Sequence, residues 1–160
     1  MPVIGKVSLK NSIEIEKPLS EVFTFVSDQL NNPKWNYYVM RVEKINGLDG
    51  VGAEYLQTRK NDRQKFVIEE FVRDKKCVIQ TLPGERPAAR RSIVFEGGDH
   101  RTILYDQIEL QVPVPSFFAK LFIQSPKNAI RQNLQKLKEL LETGLVVLQD
   151  GREMSYKMEP

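Results

Sequence analysis

The stretch from Asn11 to Gly52, with the residues leading into it, constrains the fold more than any other part of the chain. Val7, Leu9, Asn11, Ile13 and Ile15 alternate with Ser8, Lys10, Ser12, Glu14 and Glu16. A period of two predicts a strand with one buried face. Pro18 ends it and suits the first turn of a helix, where its missing N–H is not needed. Leu19, Val22, Phe23 and Val26 then recur at helical spacing and form one apolar stripe. Asp28 and the Asn31-Asn32 pair break that helix. Asn32 before Pro33 is a good cap for a short second helix carrying Trp35, the only tryptophan. Tyr38 to Ile45 returns to strand. Gly47, Gly50 and Gly52 supply a turn, with Asp49-Gly50 as the hairpin signal.

The middle of the chain is a run of short strands with tight turns. Ala53 to Arg59, Gln64 to Val72, Cys77 to Leu82, Arg90 to Glu96 and Arg101 to Val112 are the strands. Asn61-Asp62, Asp74 to Lys76, the loop from Pro83 to Pro87 and Gly97 to His100 separate them. No helix intervenes, so the pattern predicts an antiparallel meander and not βαβ units. Pro113 and Pro115 end the sheet. Ser116 to Gln124 is apolar at helical spacing, and Ser125-Pro126 restarts or kinks the helix. Ile130, Leu134, Leu137 and Leu141 continue one stripe to Gly144, a plausible C-terminal cap. Residues 1–144 thus read as one domain. Residues 145–160 read as a tail, docked or flexible, with Leu145 to Leu148 able to dock or add an edge strand.

Composition narrows the function classes. The length of 160 residues suits one domain with a full core. A net charge of +3 is too weak and too dispersed to predict a nucleic-acid partner. The longest apolar runs fall far short of a membrane span, and the N-terminal residues hold no apolar signal core, so the expected setting is cytoplasmic. Cys77 is the only cysteine and His100 the only histidine. Neither a disulfide, a zinc set nor a Ser-His-Asp or Cys-His arrangement can be assembled from them, and no cofactor is expected. No glycine-rich loop joins a strand to a helix in the manner of a nucleotide site.

The order of these elements resembles the START-like, or SRPBCC, superfamily, most of all its polyketide cyclase/dehydrase-like branch. The likeness rests on Ile13-Glu14-Ile15, Pro18 to Phe25, Asp28 with Pro33 and Trp35, and Gly50-Val51-Gly52. Val67 to Phe71, the Tyr105 strand and the helix of Leu134, Leu137 and Leu141 extend it over nearly the whole chain. The resemblance implies an α+β helix-grip fold: two short helices after the first strand, and a curved antiparallel sheet wrapped around a long C-terminal helix. The seven strand runs of this chain match that order. It also implies an internal, largely apolar cavity for a small hydrophobic molecule such as a lipid, polyketide, aromatic or quinone-like compound. Carriers, sensors and enzymes all occur on this fold.

Such a cavity has several candidate ligand-binding residues. Trp35 either touches the ligand or closes the core. Tyr55, Tyr105 and Gln107 are placed facing inward, where a hydroxyl and an amide would orient a polar group of the ligand. Phe66 and Ile68, with Phe118 and Phe122, are candidates for the apolar wall, and Phe118 and Phe122 equally suit plain core. The prolines make the Phe118 segment a candidate lid. Glu69, Glu70, Asp106 and Glu109 lie in strands. An inward one would be a candidate general base for a cyclase, dehydrase or aromatase; paired with Arg59, Arg91 or Lys65, each is structural. Arg86, Arg90 and Arg91, like Arg73, Lys75 and Lys76, read as solvated charges near turns or as contacts for an acidic head group or an anionic membrane surface. Binding module, cyclase-type enzyme and interaction domain stand as three readings, with a monomer or a homodimer formed through Leu145 to Leu148.

Overall fold

The computed structural model describes residues 5–119, 121 and 123–157. Alternation of apolar and polar residues makes β1 (Gly5–Ile15), whose buried side carries Val7, Leu9, Ile13 and Ile15. Pro18 caps α1 (Leu19–Ser27), with the Val22 N–H donating to its carbonyl at 3.1 Å. The second short helix is a 3-10 helix, Gln29–Lys34. It starts before Asn32: the cap is Asp28, whose carboxylate accepts from the Leu30 N–H at 3.1 Å. Asn32 instead takes the Trp35 N–H at 3.3 Å and ends the helix, so Trp35 sits just beyond it.

The meander is formed by β2 (Val39–Lys44), β3 (Glu54–Arg59), β4 (Arg63–Val72), β5 (Lys76–Thr81), β6 (Ala89–Gly97) and β7 (Thr102–Val112). The Asn46 side chain organises the β2–β3 turn by accepting from Leu48 and Glu54 N–H groups. Gly50 and Gly52 take the positive φ angles of 67° and 90° that the turn requires. All seven strands form one antiparallel sheet in the order β1-β7-β6-β5-β4-β3-β2, with β1 paired along its full length to β7. Register slips beside Val39 and beside Ile68 mark bulges in β2 and β4.

After α2 (Ser116–Ala119), the long helix α3 (Gln124–Thr143) packs on the sheet. Pro126 lies in its first turn, where the helix has no use for an N–H. Gly144 ends it at φ 86°, donating to the Leu140 carbonyl at 2.8 Å. The chain is therefore α+β, a seven-stranded antiparallel sheet with a long helix against it.

Beyond Gly144, β8 (Leu145–Val147) and β9 (Glu153–Ser155) form a hairpin. Val146 and Leu148 enter the main core beside Leu134, Leu137, Leu140 and Leu141, whereas Leu145 and Val147 face out. Tyr156 packs edge-on against Phe25 at 5.0 Å, which buries a face of α1 outside its predicted stripe. Residues 158–160 of the tail lie outside the described residues. No helix among the described residues is long and apolar enough to cross a membrane.

Candidate functional site

The helix–sheet interface is filled at one end and hollow at the other. The filling comes from the C-terminal half of α3, where Leu134, Leu137, Leu140 and Leu141 are at most 1% exposed. The N-terminal half offers Ser125, Pro126, Ala129 and Ile130 at the same interface. These side chains do not span the gap, and a cavity of about 470 Å³ remains. That volume lies within the ordinary range of small-molecule sites.

The register builds the facing wall. Leu9 of β1, Ile108 of β7, Arg91 of β6 and Ile79 of β5 stand side by side across four strands, and all line the cavity. Phe66, Thr81, Ala89 and Leu110 form the next part of the wall. Asn36 and Asn133 close one side. The Asn133 amide donates to Asn36 Oδ1 at 3.2 Å, and Gln149 donates to Asn133 Oδ1 at 3.1 Å, so this polar patch is held by its own hydrogen bonds.

Arg91 is the more buried of two arginines in the wall. Asp106, diagonally across β6–β7, is 2% exposed and takes both its Nε (2.9 Å) and its Nη2 (2.6 Å). The guanidinium lies 5.5 Å from the Trp35 ring centroid, within cation–π range. Its Nη1 makes no hydrogen bond to the described residues. Arg59, at the end of β3, also lines the cavity and is held bidentately by Asp62, both contacts at 2.6 Å. Hydrogen bonding from Arg59 lowers the Asp62 carboxyl below its usual range. Among the described residues, no carboxylate, histidine or cysteine lines the cavity.

The structure distributes the candidate residues unevenly. Phe66 lines the cavity. Tyr55 faces inward but stacks on Phe66 at 5.4 Å, and with Ile68 and Ala53 it forms a small core cluster beside the cavity. Trp35 is 1% exposed and lies in the main core; it meets the site through Arg91 and through its N–H bond to the Asn32 carbonyl, and its Nε1 has no partner among the described residues. Tyr105 and Gln107 occupy the outer face, in correction of their inward placement. Tyr105 is 42% exposed, and Gln107 donates to Ser8 Oγ at 3.1 Å. The inward residues of β7 are Leu104, Asp106, Ile108 and Leu110. Phe118 is 47% exposed and lies against Phe117 at 4.1 Å, away from the cavity wall. Phe122 lies outside the described residues.

Glu69 pairs with Arg90 and Glu70 with Lys76, so the basic cluster splits: Arg90 turns outward and Arg91 inward, as neighbours on a strand must. Burial pushes the Cys77 thiol up to about 11, and Gln29 donates to its sulfur at 3.8 Å. His100 is exposed in its turn. Among the described residues no cluster could hold a metal ion.

No protein-family model and no curated protein matches the chain. Among solved structures, 267 chains match, and a fold so widely shared does not select a function. One is the crystal structure of DR_A0006 from Deinococcus radiodurans, a structural-genomics target. It is similar over 87% of this chain and all of its own, at 16% identity and a TM-score of 0.64, a likeness of fold alone.

Proposed function

We propose that the chain is a binding module with a helix-grip fold of the START-like type, a cytoplasmic carrier or sensor that shields a small hydrophobic ligand in the cavity beneath α3. The observation that carries this reading is the cavity itself. It sits where the helix changes from leucines to Ser125, Pro126 and Ala129, and the surface of its wall is mostly apolar, interrupted by polar side chains such as Asn36, Gln57, Gln64, Thr81 and Arg91. Val114, Phe117, Phe118 and Leu121 are exposed on the segment that leads into the cavity-lining residues, which suits a route for the ligand.

A cyclase- or dehydrase-type enzyme is the second reading. An inward carboxylate does stand beside Tyr105, namely Asp106, but both its oxygens are occupied by Arg91 and it does not line the cavity. That arrangement suits a group that fixes Arg91 better than one that removes a proton.

Native mass spectrometry of the purified protein, incubated with a panel of fatty acids, sterols and polycyclic aromatics, tests the binding reading. One-to-one adducts that survive gentle activation support it. A bare chain across the whole panel overturns it.

A further inference from the structure

We infer that the cavity selects an apolar molecule ending in a carboxylate, with Arg91 as the group that receives it. This rests on the binding reading and adds the chemistry of the ligand's polar end. Among the described residues, the only side chains facing the cavity that are charged at neutral pH are Arg91 and Arg59. Their counter-carboxylates, Asp106 and Asp62, are not part of the lining. Each arginine is gripped through Nε and Nη2, which leaves Nη1 without a hydrogen bond to the described residues. Both ion pairs therefore set their positive end on the cavity side, and among the described residues no negative group opposes it there.

A charged guanidinium with only 15% of its side chain exposed is costly to desolvate, and Asp106 offsets most of that cost. Asp106 and the Trp35 ring together fix its position, so little conformational freedom is lost when a ligand oxygen arrives. Around it, Leu9, Ile79 and Ile108 give a ligand's body apolar contact, while Asn36, Gln57, Gln64 and Thr81 also line the cavity. The wall thus sets two positioned arginines, Arg91 and Arg59, beside its apolar surface. A single negative charge suits this better than a dianion, since each arginine is already formally balanced by its own carboxylate and offers an incoming anion only its remaining donor.

Isothermal titration with two matched pairs tests the inference: decanoate against decanol, and 2-naphthoate against 2-naphthol, at pH 7.5. The expected result is that at least one carboxylate binds tenfold or more tighter than its neutral partner. In the double variant Arg91→Met with Asp106→Asn, which removes both charges together, that preference falls to less than twofold while the neutral partner still binds. Arg59→Gln, at the end of β3, lowers the preference by a smaller factor. Equal binding of acid and alcohol by the native protein overturns the inference and leaves the cavity reading standing, and it does so whether or not the double variant folds. A preference that survives in a folded double variant also overturns it. No binding by any of the four probes contradicts the cavity reading, and this inference with it.

Discussion

The two ends of one helix–sheet interface differ in what the helix brings to it. Toward Thr143, α3 presents Leu134, Leu137, Leu140 and Leu141, and Val146 and Leu148 of the β8–β9 hairpin pack in beside them. Toward Gln124 it presents Ser125, Pro126, Ala129 and Ile130 over a sheet face that carries Arg91. The first end is a dense core in which each methylene has neighbours on all sides. The second is hollow and asymmetrically charged. On the proposed binding reading, stability and binding fall to opposite halves of the same two elements. Asp106 marks the frontier: it stands in register between Asn11 and Ile93 and reaches back to Arg91.

Substitutions at the two ends should therefore behave oppositely. Leu137→Ala, in the packed half, should cost about 4 kcal/mol in denaturant unfolding, because a fully enclosed leucine leaves a cavity that cannot collapse. At the frontier, Asp106→Ala should cost about 3 kcal/mol by stranding a mostly buried guanidinium. Adding Arg91→Met to it should restore most of that loss, and a double-mutant cycle measures the coupling. A loss at Asp106 that Arg91→Met does not relieve would mean that the pair is not what holds this frontier.

Cys77 stands on the frontier itself, opposite Ile93, which in turn faces Asp106, and gives a pH test. Its thiol is raised from 9.0 to about 11, chiefly by burial. The folded state thus keeps a proton that the unfolded chain releases above pH 9. The stability tied to that proton is fully present below pH 9 and is lost as pH rises toward 11, by at most about 2–3 kcal/mol. Cys77→Ala should flatten that fall relative to the native protein in unfolding measured from pH 8 to 11. Identical slopes would show that the thiol ionises as freely folded as unfolded. The smallest stability effect is expected in the hollow half: Ala129→Leu should change unfolding free energy by less than about 1 kcal/mol, since the added atoms enter free space.

Much of the frame is legible from local patterning. The strand runs lie within a residue or two of β1 to β7, and the leucine stripe and Gly144 define the end of α3. The site is harder to read, for one physical reason. Along Leu104, Asp106, Ile108 and Leu110, an aspartate interrupts an otherwise apolar inward face. Read as a surface residue, Asp106 turns the strand over and sends Tyr105 and Gln107 inward. Its partner Arg91 hides in the same way, beside Arg90, in what resembles a solvated basic turn. A buried ion pair spans two strands, so single-strand alternation misplaces each half. The helix holds a clearer sign. The replacement of leucines by Ser125, Pro126 and Ala129 one stripe earlier marks the hollow end, visible as a drop in side-chain volume.

The central claim is that the hollow half of α3 covers a ligand cavity. The most direct test is a fluorescence titration of the neutral dye N-phenyl-1-naphthylamine into the native protein and into Ala129→Trp, whose indole would fill the space. The account predicts saturable, blue-shifted emission at one site per chain for the native protein. It predicts loss of that signal in a variant that still unfolds cooperatively. Equal dye binding by both proteins, or none by the native one, would contradict it.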